Sequence, residues 1–237
     1  VRPGERHTAV KDSDRPPVLA HLRFAADRMS FQGLDLRERF ERIHATNLWG
    51  AAASVSGLGS EPSATTALAA SLPVLLRELK VRSLLDAPCG DAQWINGIDL
   101  AVDYVGVDIV PAIVDALQRR AAAGELQGRY ELADVTRDPL PRADAVLCRD
   151  CLVHLSFTHI RRVIENLRRS GATWLITTTF SELQANRDCE DGDWRALNFC
   201  RPPFAWPAPL AVLDERCDEA GGGYRDKSLG VWRLDSL

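Results

Sequence analysis

The sequence predicts an α/β fold: a mostly parallel sheet with helices on both faces, a C-terminal antiparallel hairpin and a helical N-terminal cap. Three observations carry this. From about residue 81 onward, short apolar runs alternate with helix-length amphipathic stretches, the order that builds a parallel sheet covered by helices. Two of these runs, Ser83–Ala87 and Tyr104–Ile109, deliver Asp86 and Asp108 about 20 residues apart, the spacing at which α/β sheets present acids at their strand ends. Near the C-terminus, Ala211–Cys217 and Ser228–Leu234 flank Gly221-Gly222-Gly223, which reads as two strands of a hairpin.

The elements follow in order. Residues 1 to about 20 are charged and contain Arg15-Pro16-Pro17, so a loosely held arm is expected. Between Val18 and Ile43, Leu19, Leu22, Phe24, Phe31, Leu34, Leu36 and Phe40 suggest one or two short helices. Asn47-Leu48-Trp49-Gly50 leads into a small-residue loop through Ser54, Ser56, Gly57, Gly59 and Ser60, and Thr65 to Leu79 reads as a helix. Strands are predicted at Ser83–Ala87, Tyr104–Ile109, Arg129–Asp134, Ala145–Cys148 and Thr173–Phe180. Helices are predicted over Pro111 to Ala123, with proline in its first turn, and Ser156 to Arg169, with a serine N-cap and a Gly171 stop. The first two strands are joined by a link that holds a helix of at most a couple of turns, and the third and fourth by one too short for any. Residues 1–80 therefore form an arm and helical cap and 81–237 the main domain. Within the latter, about 181–210 is aperiodic and rich in proline, tryptophan and acids. Loops this long are usually functional, so a substrate lid is expected there.

Composition narrows the class. The chain has 237 residues, enough for a sizeable core, and a formal net charge of -4, so no global basic field favours nucleic acid. Lys11, Lys80 and Lys227 are the only lysines; with the many alanines, that bias suggests a GC-rich bacterial genome. No apolar run is long enough to span a bilayer and no charged–apolar–small leader pattern opens the sequence. The cysteines at 89, 148, 151, 189, 200 and 217 form no dense framework, so reduced thiols in a cytoplasmic protein are expected. Cys148 and Cys151 make a CxxC with no second pair or histidines at metal spacing, and are read as buried thiols rather than a metal site.

The two acid-tipped strands point to a nucleoside-containing cofactor bound at their carboxyl ends. The first loop reads Asp86-Ala87-Pro88-Cys89-Gly90-Asp91-Ala92. With five strands, their helices and a terminal hairpin, it resembles the class I S-adenosylmethionine-dependent methyltransferases, which are Rossmann-like. Their loop usually carries an acid and three alternate glycines; here Asp86 and Gly90 match, while Pro88 and Ala92 stand where glycines are usual. The Asp-Ala-Pro-Cys-Gly-Asp form resembles a bacterial methyltransferase-domain subgroup. So do Asn47-Leu48-Trp49-Gly50, Cys148 to Ser156, Thr177-Thr178-Thr179-Phe180, Pro202-Pro203-Phe204 and Asp226-Lys227-Ser228-Leu229-Gly230.

The resemblance implies S-adenosylmethionine as cofactor and assigns roles. Gly90 lets backbone approach the amino-acid end and sugar, with Pro88 beside it. Asp86 receives the ammonium or, alternatively, holds its own loop. Asp108, with Ile109 next to it, accepts two hydrogen bonds from the ribose diol or serves as a helix N-cap. Asp134 and Val135 are implied for the adenine, with a turn role as the rival for Asp134. The planar fork of Arg149 suits a carboxylate of cofactor or substrate. Trp49 and Trp94 are candidates to wall the methionine end, or are packing residues. Asp150 and His154, four residues apart, would share a face if residues 150–154 form a helical turn, and are candidates for base and partner; loop anchoring and packing are their alternatives.

The expected activity is methyl transfer to a hydroxyl of a small molecule such as a sugar or specialised metabolite. One alternative is an amine or guanidinium acceptor held by acids of 181–210, with Asp188 and Glu190 foremost. Another is a binding protein of the same fold without transfer activity, suggested by the missing loop glycines. A nicotinamide oxidoreductase ranks low because GxGxxG is absent. The expected partner is a small-molecule acceptor, with neither nucleic acid nor membrane, and a homodimer is left open.

Overall fold

The computed structural model describes residues 15–52 and 54–237. Three helices lead in: α1 (Leu19–Asp27), α2 (Leu36–Ala45) and α3 (Pro62–Glu78). The alternating part runs β1 (Ser83–Asp86), β2 (Asp103–Asp108), α4 (Pro111–Ala122), β3 (Arg129–Leu132), β4 (Ala145–Cys148), α5 (Phe157–Ser170) and β5 (Trp174–Phe180). It closes with β6 (Ala211–Asp214) and β7 (Lys227–Arg233). The strands form a 7-stranded sheet in the order β3-β2-β1-β4-β5-β7-β6. Pairs among β1 to β5 are parallel, and β7 pairs antiparallel with both β5 and β6.

The strand period of two sorts side chains onto two buried faces. Leu84, Leu147 and Ile176 pack with Leu68, Leu72 and Leu76 of α3 and with Ile113 and Leu117 of α4. Their neighbours Leu85, Val146 and Leu175 pack with Ile160, Val163 and Leu167 of α5. The antiparallel pair is thus appended to an edge that the parallel strands could not close themselves.

Helix ends follow local chemistry. Pro111 begins α4, where its missing N–H costs nothing. Ser156 Oγ accepts from His159 N at 3.3 Å to cap α5, and Gly171 ends it at φ +79. α2 opens on a reciprocal box: Glu38 N donates to Asp35 Oδ1 at 2.9 Å and Asp35 N to Glu38 Oε2 at 2.8 Å.

Some expectations are corrected. Residues 87–102 between β1 and β2 contain turns and no helix, because a run of Pro88, Gly90, Asn96 and Gly97 offers no helical nucleus. α3 begins three residues early at Pro62, which suits a first turn. Residues 150–154 are not a helical turn: Asp150 sits at φ +49, and a short 3-10 turn covers only Leu152–His154. The expected arm lies outside the described residues up to 14. Beyond it, Val18 is buried with Phe180 and Tyr224.

Residues 181–210 are a wrap over the α5 side of the sheet. Phe199 stacks on Trp206 at 4.2 Å between ring centres, and Trp206 meets Trp232 edge-on at 5.3 Å. Arg195, fully buried, donates to the carbonyls of Leu152 and Leu155, and Asn198 donates to those of Ser181 and Leu183. Among the described residues no helix is long and apolar enough to cross a membrane.

Candidate active site

The carboxyl ends of β1 to β4 converge on a cavity, partly open to solvent, where the strand order reverses between β1 and β4. Every site candidate from the sequence borders it. Asp86, Pro88, Gly90 and Trp94 come from the β1 loop, Asp108 and Ile109 from β2, and Asp134 and Val135 from β3. Arg149, Asp150 and His154 follow β4, and Trp49 closes the top. From the described residues of the N-terminal segment, Leu36, Phe40, Ile43 and His44 of α2 and Ser56 and Ser60 also line the cavity.

The β1–β2 side is a pair of buried carboxylates with few charged neighbours. Tyr104 Oη donates to Asp86 Oδ2 at 2.7 Å, leaving Oδ1 without a hydrogen bond among the described residues. Gly90 N donates to Asp108 Oδ2 at 3.1 Å and Val110 N to Oδ1 at 2.9 Å, so Asp108 ties the two loops together and is not the cap of α4. Burial pushes the Asp86 carboxyl up to about 7, and burial likewise pushes Asp108 up to about 6. Gly90 adopts φ +53, and a Cβ there would strike Ser56 Oγ, so only glycine fits. Ala92, two residues on, also keeps a left-handed φ, of +52. Asp134 has a different job: Oδ1 accepts from Thr136 N at 2.9 Å and from Thr136 Oγ1 at 2.6 Å, and Oδ2 pairs with Arg137 at 3.0 Å. Its carboxylate is committed to the turn after β3, the alternative weighed for it.

The β4 side is a closed cluster of four charges. Arg149 Nη2 meets Glu215 Oε2 at 2.6 Å and the Gly59 carbonyl at 2.7 Å, while Lys227 Nζ meets Asp150 Oδ2 at 2.6 Å and Glu215 Oε2 at 3.4 Å. Arg149 also lies over the Trp94 ring, 5.3 Å from its centre. Burial alone would raise the Asp150 carboxyl, but the Lys227 ammonium and the Arg149 guanidinium hold it well below the usual range. Asp150 is thus a neutralised anchor and a poor proton acceptor.

His154 is placed otherwise. Its ring stacks on Trp49 at 4.4 Å, and Nδ1 lies 2.8 Å from the Asp193 carbonyl. A carbonyl only accepts, so Nδ1 carries the proton and Nε2 holds the lone pair. Burial pulls the imidazole down to about 4, which keeps it neutral at pH 7. Gly192 N donates to the His154 carbonyl at 2.8 Å and Arg195 N to that of Val153 at 3.1 Å. Residues 181–210 therefore brace this histidine from behind and contribute no lining to the main cavity. Their acids are engaged: Asp188 accepts from Phe157 N at 2.7 Å, Asp191 from Ser156 N at 2.7 Å, and Glu190 pairs with Arg28.

A second, smaller cavity shares Trp49, Ser56, Asp150 and His154 with the first, and adds Trp194, Glu219 and Lys227. Sequence reasoning missed Glu215 and Glu219, and gave Lys227 no role beyond its motif block. It also missed Asp91, whose Oδ2 accepts from Ser54 Oγ at 2.9 Å and Val55 N at 3.1 Å, while its N–H donates to Ser56 Oγ at 2.8 Å. The only available signal was small: a lysine in a chain with three, and a serine–glycine loop with no other purpose.

Comparison with known proteins fits this geometry. Residues 84–171 match the family model described as a methyltransferase domain, a span from β1 to the end of α5. No curated protein matches the chain. Among solved structures, the methyltransferase domain of bacterial CtHen1-CN is 14% identical, covering 71% of this chain and 98% of that one at a TM-score of 0.51. The PH0226 protein from Pyrococcus horikoshii OT3 is 23% identical over 46% of this chain and 54% of that one (TM-score 0.40). An S-adenosylmethionine-dependent methyltransferase from Clostridium acetobutylicum ATCC 824 is 11% identical over 49% and 52% (TM-score 0.41). The chain thus spans about half the length of these last two. The fold is that of the Rossmann-like methyltransferases. Residues 84–171 thus carry the match to a methyltransferase domain on this fold, and methyltransferases of this fold use S-adenosylmethionine as cofactor.

The cavity suits that cofactor. Gly90 lets the Ser56 side chain close against the loop at the cavity wall, and Asp86 keeps a carboxylate oxygen uncommitted in a site where burial favours its protonated form until a cation arrives. Arg149 Nη1 makes no hydrogen bond among the described residues.

Proposed function

We propose that this protein transfers a methyl group from S-adenosylmethionine to a hydroxyl of a small molecule, with His154 as the proton acceptor. The observation that carries this is the His154 tautomer: Nδ1 is locked to the Asp193 carbonyl, leaving a neutral Nε2 at the partition of two adjoining cavities. When bound, the cofactor supplies a methyl group already activated on a sulfonium. The chain aligns the acceptor, keeps water out and takes one proton. Asp86 would hold the cofactor's ammonium, Asp108 its ribose hydroxyls, and Arg149 Nη1 its carboxylate. A hydroxyl oxygen becomes strongly acidic once its lone pair is committed to a new bond, so a weak base that is neutral until it takes that proton is sufficient. Asp150, ion-paired to Lys227, keeps the residues after β4 in place.

An amine acceptor held by Asp188 and Glu190 has less support, because both carboxylates are engaged with backbone N–H or Arg28. Calorimetric titration with S-adenosylmethionine tests the cofactor: micromolar binding is expected, and its absence sinks the proposal. With a hydroxylated acceptor, His154→Gln should lower kcat about 10²- to 10⁴-fold while leaving cofactor affinity unchanged. An unchanged kcat removes His154 from the chemistry.

A further inference from the structure

Asp86 ends β1 with one oxygen engaged and the other uncommitted among the described residues, and what divides them is Tyr104. β1 and β2 run in register with Leu84 beside Tyr104 and Asp86 beside Gly106. Tyr104 therefore stands on the same sheet face as Asp86, one strand over and two residues back. Its phenol reaches across to donate to Asp86 Oδ2 at 2.7 Å and makes no other hydrogen bond among the described residues. The ring lies against Tyr130, 6.0 Å between centres. Gly128, at φ +90, makes room for it, since a Cβ there would meet Tyr104 Cδ1 at 2.7 Å. Asp86 forms part of the cofactor cavity wall and Tyr104 does not.

This contact decides what a ligand meets. With Oδ2 already accepting from a phenol, a proton taken up by Asp86 must sit on Oδ1, where it would confront an ammonium that itself only donates. The ionised acid instead presents Oδ1 as an acceptor. Burial opposes the ionised form and carries Asp86 up to about 7; the Tyr104 hydrogen bond comes next and draws it down, ahead of Arg149, while Asp108 pushes it up. Cys89 of the same loop and Tyr130 of β3 also face Asp86. Both, like Tyr104, are pushed upward chiefly by burial and stay neutral below pH 8. Asp108, at about 6, titrates in the same range as Asp86.

We propose that Tyr104 is a positioning residue for cofactor binding: its hydroxyl holds Asp86 Oδ2 so that Oδ1 faces the cavity as an anion for the ammonium of S-adenosylmethionine. The proposal rests on the S-adenosylmethionine reading of the cavity and adds to it a residue that touches no ligand. It also separates the two acids. Asp108 is held by backbone N–H groups, which no side-chain substitution removes, and Asp86 by a single phenol.

Calorimetry on the full chain tests it with S-adenosylhomocysteine and 5′-methylthioadenosine at pH 6, 7 and 8. The second ligand keeps the adenine and ribose and lacks the amino-acid end, so it registers Asp108 but not Asp86. Losing one hydrogen bond to the charged form should raise the Asp86 carboxyl by about one pH unit in Tyr104→Phe. The Kd of S-adenosylhomocysteine should then rise about tenfold at pH 6 and only about twofold at pH 8, with that of 5′-methylthioadenosine unmoved. Asp86→Asn, which keeps an acceptor for the phenol, should abolish the pH dependence that separates the two ligands. A rise of equal size at every pH, a loss shared by both ligands, or no change in Tyr104→Phe overturns the proposal, as does a surviving pH dependence in Asp86→Asn. Failure of Tyr104→Phe to fold would assign the phenol to the sheet and overturn it too. If S-adenosylhomocysteine does not bind the unsubstituted chain, the cofactor reading is the error, and this proposal falls with it.

Discussion

The two sides of the cavity solve opposite electrostatic problems. On the β1–β2 side, Asp86 and Asp108 are buried with backbone N–H groups and a tyrosine for company, and both carboxyls are pushed upward by burial. On the β4 side, Asp150 and Glu215 are buried against Lys227 and Arg149, and Asp150 is held down by them. Acids left without a counter-ion create a demand that a cationic ligand can meet. A cluster already balanced two against two makes no such demand and instead fixes geometry. The first arrangement suits a cofactor with an ammonium, and the second a rigid wall between two sites.

The largest expected effect breaks the balanced side. Lys227→Met leaves Asp150 and Glu215 facing Arg149 alone inside the protein, and should cost about 3–5 kcal/mol of stability. Urea denaturation measures it. A loss below about 1 kcal/mol would mean that water relaxes the cluster and that the wall is soft.

The same contrast explains what could be read from the sequence. Each acid of the β1–β2 side ends its own apolar run, so Asp86 and Asp108 were legible from local pattern alone. The cluster joins Arg149 to Glu215 across 66 positions and Asp150 to Lys227 across 77, and no local spacing encodes that. The alternation of strands and helices along the chain and the terminal antiparallel pair were legible because periodicity and connection lengths carry them. The wrap over 181–210 was not: its charges suggested a ligand surface, whereas Arg195, Asn198 and Asp188 are engaged with backbone groups that a long loop leaves unpaired. Asp134 shows the limit within one residue, since a strand-end acid looks the same whether it faces a ligand or its own turn.

Next in size is the removal of a charge from the ligand-demanding side. Asp108→Asn keeps the shape of the side chain but loses the anion, and should weaken S-adenosylmethionine binding by about 10²-fold in calorimetry, as expected for two charge-assisted hydrogen bonds. A change under threefold would remove Asp108 from cofactor recognition and leave it as the tie between Gly90 and Val110.

A smaller and reversible effect comes from pH. With the Asp86 carboxyl at about 7 in the unliganded protein, ammonium binding must first displace a proton, so cofactor Kd should rise about tenfold between pH 8 and pH 6. Stability runs the other way. The folded value lies above the ordinary 3.8, so the unliganded protein gains from protonated Asp86 at low pH and loses that gain as pH rises through about 7. Affinity and unliganded stability should therefore move in opposite directions from pH 6 to 8. A flat Kd over that range would show that Asp86 does not meet the ammonium.

The smallest effect separates the wrap from the wall. Glu190 pairs with Arg28, and both side chains are largely exposed, at 41% and 64%. Exposed pairs contribute little because water screens the attraction and two flexible side chains must be ordered. Glu190→Gln should therefore change stability by less than about 1 kcal/mol and leave the acceptor KM unmoved. A raised KM with an unchanged kcat would say that 181–210 binds acceptor directly, and would return the wrap to the role its composition first suggested. An unmoved KM, beside a collapse in Lys227→Met, would place the functional weight of the C-terminal half on its buried charges rather than its exposed ones.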